Sequence, residues 1–143
     1  MLREKTFKNM SYFYKLSFLE SYAMFMGKTQ LIEFSLKRIL SLKYRYGKKK
    51  LDKMTLGGVI SELEKLGIRK DFILVLRELN KLRINMAHDF LVEHFALTTL
   101  DRRYGRFSLK PLRHAIFWLE QTVHVFNFLN QNKYLYKGQR KVY

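Results

Sequence analysis

Cysteine is absent from this chain of 143 residues, which excludes disulfides, thiolate catalysis and metal binding through thiolates. Its absence fits a reducing compartment, and we expect a cytoplasmic protein. Proline occurs once and glycine seven times, so long helices are permitted almost everywhere. Lysine, arginine or glutamate interrupts every apolar run, so no stretch approaches the ~20 apolar residues of a membrane-spanning helix. We therefore expect no membrane partner.

Acidic residues are scarce beside basic ones. The chain has 28 lysines and arginines against 12 aspartates and glutamates, which gives a net charge of +16. This excess is greater than solubility requires, and its positive field attracts polyanions. An acidic protein or an anionic membrane surface is the alternative partner, but the lack of a membrane signal favours nucleic acid. Because 48% of the residues are hydrophobic, the chain can bury a single core.

Apolar residues recur at helical spacing along most of the chain, whereas a strand pattern is weak. This periodicity predicts an all-α, single-domain bundle of four to five helices over residues 1–143. We expect an extra N-terminal helix within residues 1–27, broken at Gly27, and a second helix over residues 29–44. Residues 46–50 are predicted to form a loop, because their dense like charge resists helix formation.

Three further helices are expected after that loop. Thr55 can cap a short helix, and Gly67 can end it. A strongly apolar helix is predicted to begin near Asp71. Ser108 can cap the last helix, whose first turn tolerates Pro111.

Arg83 stands in the middle of the apolar stripe of the helix that begins near residue 71. At 100° per residue with Phe72 at zero, Arg83 falls at about 20°. The stripe itself is formed by Phe72, Leu76, Leu79, Leu82 and Met86. Because an unpaired buried guanidinium costs several kcal/mol, Arg83 either snorkels or pairs with a carboxylate such as Glu33 or Glu78. Glu33 can also form an ion pair with Lys37, four residues later.

His88 follows Arg83 by five residues, which turns a straight α-helix by about 140°. The two side chains can meet if the helix ends near Asn85, if Arg83 arches, or if two subunits come together. Asn85 and His88 are three residues apart and can lie on one side. Taken alone, His88 fits a structural histidine near a helix end, where the dipole favours its cation.

The segment from Arg83 to His88, Arg-Ile-Asn-Met-Ala-His, resembles the Arg-(four to six residues)-His motif of the HEPN superfamily of helical ribonucleases and RNA-binding domains. The order of the surrounding elements is similar as well. Glu33 lies on an early helix, as an acidic residue often does in the family, and Thr55–Gly57 matches the family's Thr-Leu-Gly turn. The resemblance covers residues 28–130. Ile84 departs from the pattern, because the family places a polar residue directly after the arginine.

The resemblance implies a metal-independent endoribonuclease that acts as a toxin or defence effector without a cofactor. It implies catalytic roles for Arg83, His88, Asn85 and Glu33, with 2′,3′-cyclic phosphate and 5′-OH ends as products. It also implies a homodimer, with an acidic antitoxin or a larger complex as a further partner. The alternative is a non-catalytic HEPN-like subunit that binds RNA or DNA within a larger nucleoprotein complex.

Basic clusters with interleaved tyrosines indicate a surface for unpaired bases and phosphates. The residues singled out for nucleic-acid binding are Lys48, Lys49, Lys50, Arg102, Arg103 and Arg106. A basic tail over residues 133–143 forms a third cluster. The alternative is a solvated face with incidental tyrosines, whose charge meets an acidic protein.

Overall fold

A computed structural model describes residues 2–90, 92–93 and 109–135, and over these residues the chain is all-α, as predicted. The described residues contain six α-helices and one π turn. They are α1 (Leu2–Phe13), α2 (Phe18–Tyr44), α3 (Lys48–Asp52), α4 (Leu56–Lys65), α5 (Lys70–Asn85), the π turn (Met86–Phe90) and α6 (Lys110–Gln131). The sequence predicts four or five helices. None of the helices described is both long enough and apolar enough to cross a membrane.

The predicted helix break at Gly27 is wrong, because α2 runs through this residue without interruption. A single glycine costs a helix only about 1 kcal/mol. Burial of Phe25 and Ile32 on either side of it outweighs that cost. The break lies instead at residues 14–17, where the Ser17 hydroxyl accepts a hydrogen bond from the Glu20 amide at 3.2 Å. The Ser-x-x-Glu spacing is typical of a helix start.

The predicted loop at residues 46–50 is also partly wrong, because Lys48–Lys50 form most of α3. Leu51 is buried and anchors this short helix to the core. The Nζ atom of Lys50 lies 4.3 Å from the ring centroid of Tyr46, which is a favourable cation–π contact. The three lysine side chains are exposed, so water and salt screen their repulsion.

Helices α4 and α5 follow the sequence prediction closely. The Thr55 hydroxyl accepts a hydrogen bond from the Gly58 amide at 3.2 Å and so caps α4. Gly67 follows the end of α4 with a φ of 87°, a left-handed conformation that favours glycine. Helix α5 begins at Lys70 and buries the predicted apolar stripe.

Helix α6 lies at the centre of the bundle and packs against α1, α2 and α5. Ala115 and Leu119 are fully buried in this core. The rings of Phe72 and Phe126 stack at 5.8 Å between α5 and α6. Pro111 lies in the first turn of α6, as predicted, whereas the predicted cap Ser108 lies outside the described residues.

The N-terminal helix is attached to this bundle by a buried carboxylate. Glu120 of α6 is 1% exposed and accepts hydrogen bonds from Lys28 at 2.5 Å and from Asn9 at 3.1 Å. Lys28 belongs to α2 and Asn9 to α1. One buried charge therefore ties three helices together, and a lysine and an amide compensate its desolvation.

Candidate functional site

Two cations meet one carboxylate between α2 and α5. The Oε1 atom of Glu33 lies 2.8 Å from Nζ of Lys37, one turn later on α2. The Oε2 atom of Glu33 lies 3.8 Å from Nη2 of Arg83 on α5. All three side chains are mostly buried, with 17% of Glu33, 20% of Lys37 and 26% of Arg83 exposed. The cluster carries one net positive charge in a partly desolvated place.

The guanidinium of Arg83 makes no hydrogen bond to Glu33. A separation of 3.8 Å is an ion pair but not a hydrogen bond. Its Nε atom is buried and has no hydrogen-bond partner within the described part of the chain. An unsatisfied buried donor costs about 1–3 kcal/mol, so such a group calls for a functional or structural explanation.

The π turn begins directly after α5 and carries His88. Met86 and Phe90 are buried, whereas His88 and Asp89 between them are exposed. A π turn closes through i→i+5 hydrogen bonds and therefore turns less per residue than an α-helix. The angle between Arg83 and His88 is accordingly smaller than the about 140° expected on a straight α-helix. Single π turns within helices occur frequently at functional sites.

Two aromatic residues of α2 hold the π turn in place. The hydroxyl of Tyr22 donates a hydrogen bond to the carbonyl of Met86 at 3.1 Å. The ring of Phe18 lies 5.7 Å from the ring of Phe90. Burial raises the pKa of the Tyr22 hydroxyl, so it remains a donor over the physiological range. Sequence reasoning missed Tyr22, because nothing distinguishes it from its aromatic neighbours before the long-range contact is known.

Asn85 lies on another side of α5 from Arg83, because two residues turn a helix by about 200°. It is exposed and lines a depression of about 240 Å³ between α4 and α5, together with Asn80 and Lys81. Gly57 forms the opposite wall, where a Cβ atom would lie 3.2 Å from Nδ2 of Asn80. The absence of a side chain in the Thr-Leu-Gly turn therefore permits the close approach of α4 to α5.

The predicted site residues thus fall into two groups. The structure brings Glu33 and Arg83 together, with Lys37 as a third member. His88 and Asn85 share neither a hydrogen bond nor an ion pair with that cluster within the described ranges. Over the same ranges, His, Asp and Glu side chains form no group of three that could hold a metal ion.

The predicted nucleic-acid surface is described only in part. Lys48–Lys50 are exposed on α3, on the outside of the bundle. Arg102, Arg103 and Arg106 lie outside the described residues, as does the tail after residue 135. Tyr46 does not offer a free ring, because Lys50 covers its face and its hydroxyl donates to Glu62 at 2.7 Å.

Comparisons of the chain with protein-family models, with curated proteins and with solved structures find no match. The resemblance to the HEPN superfamily therefore rests on the residues from Arg83 to His88 and on the elements around them. Within that segment, Arg83 lies in the last turn of α5 and His88 lies on the π turn.

Proposed function

We propose that this protein is a metal-independent, HEPN-like endoribonuclease that acts in the cytoplasm as a toxin or defence effector. Arg83 binds the scissile phosphate, and His88 transfers the proton. Glu33 holds the guanidinium in position, and Asn85 lines the neighbouring depression. The substrate class is RNA, because the chemistry requires a ribose 2′-OH.

The observation that carries this proposal is the partial burial of Arg83 and its lack of side-chain hydrogen bonds within the described part of the chain. The side chain of Arg83 is 26% exposed, its Nη2 atom has a carboxylate at 3.8 Å but no hydrogen bond to it, and its Nε atom is buried without a partner among the described residues. A phosphate oxygen is the acceptor that suits such a group, because guanidinium and phosphate bind through paired, charge-assisted hydrogen bonds. The exposed His88 follows five residues later, on a π turn that α2 holds in place.

The reaction uses these residues, contributed by two copies of the chain, and the substrate. His88 takes the proton from the 2′-OH while the O2′–P bond forms and the P–O5′ bond breaks. The departing 5′-oxygen receives a proton from the protonated His88 of a second protomer, which leaves a 2′,3′-cyclic phosphate and a 5′-OH end. Arg83 stabilises the negative charge that develops on the phosphoryl oxygens in the transition state.

A homodimer is part of the proposal, because one chain supplies only one histidine to a reaction that moves two protons. With a site shared between two chains, His88 of one protomer can act as the base and that of its partner as the acid. Mixing wild-type protein with an excess of His88→Ala protein then lowers cleavage per wild-type chain, if subunits exchange, because each mixed dimer holds only one of the two histidines. A site contained within one chain leaves cleavage per wild-type chain unchanged.

The experiment is RNA cleavage in excess EDTA by wild-type protein and by His88→Ala, with the product ends mapped. We expect cyclic-phosphate ends from the wild type and a loss of at least about 100-fold in the variant, the usual range for general acid–base catalysis. His114→Ala is the matched control, because His114 is exposed like His88 and lies on α6, away from the π turn. Equal cleavage by wild type and His88→Ala would refute the catalytic role.

A non-catalytic nucleic-acid-binding subunit is the second candidate. It is favoured by His88 itself, which is exposed and has no orienting hydrogen bond within the described ranges. Uncut RNA that binds wild type and His88→Ala with equal affinity would establish this function. DNA of the same sequence then binds as well, whereas the nuclease spares it.

A further inference from the structure

A groove runs between α2 and α6, along one flank of the buried face of α2. Its larger part has a volume of about 570 Å³ and is walled by Phe34 and Leu42 of α2 and by Phe126 of α6. A second depression of about 230 Å³ continues it toward Lys28 and shares the Phe126 wall. From Lys28 to Lys43, the groove follows α2 for about 22 Å.

Large apolar side chains stand exposed along this groove. Leu31 is 65% exposed, Phe34 is 63% exposed and Leu42 is 71% exposed. Leu31 and Leu42 lie within about 20° of one another on the α2 surface, with Arg38 in the same row. The row is therefore apolar at its two ends and polar between them, where Ser35 and Arg38 lie. Large exposed apolar side chains along a groove are typical of a surface that binds another protein.

Among the described residues, the charged side chains along the groove are all cations. Arg38, Lys43 and Lys133 line its larger part, and no aspartate or glutamate is among the described residues that line either depression. The arrangement combines an apolar floor with a cationic rim. It therefore complements a ligand that has an apolar face and acidic flanks.

The same charge disfavours two other occupants. A second copy of the chain would place this cationic rim against an identical one. The chain's own tail, residues 136–143, carries three cations and no acid, so the rim repels it. Single-stranded RNA would match the charge, but Phe34 and Phe126 are the only flat rings among the described lining residues, and Leu31, Ile39 and Leu42 offer bases aliphatic contacts alone.

We infer that the groove between α2 and α6 binds an acidic amphipathic helix of a partner protein. The helix lays its apolar face on Leu31, Phe34 and Leu42, and its carboxylates meet Arg38 and Lys43. A groove of about 22 Å accommodates about 15 helical residues. This inference does not depend on the proposed nuclease, because the groove contains none of its site residues.

The test uses the full chain and a fluorescein-labelled peptide of about 15 residues, with leucines at helical spacing and glutamates elsewhere. Fluorescence anisotropy measures its affinity at about 0.15 M salt, which screens long-range attraction. A scrambled peptide of the same composition has no apolar face and controls for charge. We expect the scrambled peptide to bind at least about tenfold more weakly.

The variant Leu42→Asn locates the binding surface. Leu74 on α5 is 67% exposed, nearly as much as Leu42, and lies outside the groove, so Leu74→Asn is a matched control. We expect Leu42→Asn to weaken binding of the helical peptide about tenfold and Leu74→Asn to leave it unchanged. Equal effects of the two variants, or equal binding of the two peptides, would overturn the inference.

Two further results would assign the groove to another occupant and overturn the inference in the same way. In one, Leu42→Asn weakens binding of poly(U) RNA but not of the helical peptide. In the other, light scattering shows that Leu42→Asn converts a dimer to a monomer while peptide affinity stays the same. Far-UV circular dichroism of Leu42→Asn serves as the folding control, and RNA cleavage by the same variant reports on the nuclease proposal separately.

Discussion

Glu33 neutralises two cations, Lys37 and Arg83, whereas each of these cations pairs with Glu33 alone in this cluster. It is the carboxylate between Lys37 and Arg83, at 2.8 Å and 3.8 Å, in a place where little water screens the two positive charges. Removing Lys37 leaves a simple pair, whereas removing Glu33 leaves two cations facing each other. The loss of the acid therefore costs more than the loss of one base.

We predict that Glu33→Gln lowers the free energy of unfolding by about 1–2 kcal/mol and that Lys37→Met lowers it by less than about 1 kcal/mol. Urea unfolding followed by far-UV circular dichroism measures both. The double variant is expected to recover part of the Glu33→Gln loss, because one of the two opposed cations is gone. An equal or larger effect of Lys37→Met would contradict this account of the cluster.

The sequence permits Glu33 to pair with Lys37 or with Arg83, and the structure contains both pairs. The first depends only on the four-residue spacing of a helix, so the sequence predicts it directly. The second joins residues fifty positions apart and depends on how α2 crosses α5. The stripe position of Arg83 indicates that a partner is needed, but the pattern alone does not select Glu33 over Glu78.

At the scale of helices, the segment between α2 and α3 is joined to α4 by the hydrogen bond from Tyr46 to Glu62. This bond, 2.7 Å long, lowers the pKa of the Glu62 carboxyl and raises the pKa of the Tyr46 hydroxyl. A lowered carboxyl pKa stabilises the fold above the unfolded value of about 4.3, and this stabilisation is lost as pH falls through the folded value. A raised tyrosine pKa stabilises the fold below about 10, and this is lost as pH rises through the folded value.

We therefore predict that the difference in Tm between wild type and Tyr46→Phe depends on pH. The difference is greatest between about pH 5 and pH 9 and shrinks toward both extremes. Thermal unfolding across a pH series measures it, with Tyr12→Phe on α1 as the control for losing an exposed tyrosine hydroxyl. A difference that stays constant from acid to alkaline pH would show that the bond to Glu62 does not stabilise the fold.

The helices that the sequence predicts well are those whose ends are marked by local chemistry. Thr55 and Gly67 bound α4, and the apolar period of α5 is unbroken. The sequence-based predictions are wrong or incomplete where long-range packing determines the local structure. Gly27 carries a helix because its neighbours are buried, and the π turn depends on the contact from Tyr22, which has no local signal.

At the scale of the molecule, several acids in the described part of the chain pair with neighbouring donors, and many of the excess cations there are exposed. Five of the acids lie against named donors: Glu33, Glu62, Glu64, Asp71 and Glu120. Each of them neutralises charge next to it and contributes little to the field at a distance. The lysines of α3 are exposed on the outside of the bundle, so they are well placed to meet a polyanion.

If those lysines contact RNA phosphates, their loss changes the salt dependence of binding more than loss of equal charge elsewhere. Affinity for single strands falls with a log–log slope of about −0.7 per neutralised phosphate. We predict that replacing Lys48–Lys50 with glutamine reduces the steepness for poly(U) by about 2, measured by anisotropy across a salt series. The same replacement at Lys5, Lys8 and Lys15, which are also exposed, changes the net charge equally and should reduce the slope by less than half as much. Equal reductions by the two triple variants would mean that RNA senses only the overall positive field, and α3 would then have no special place in binding.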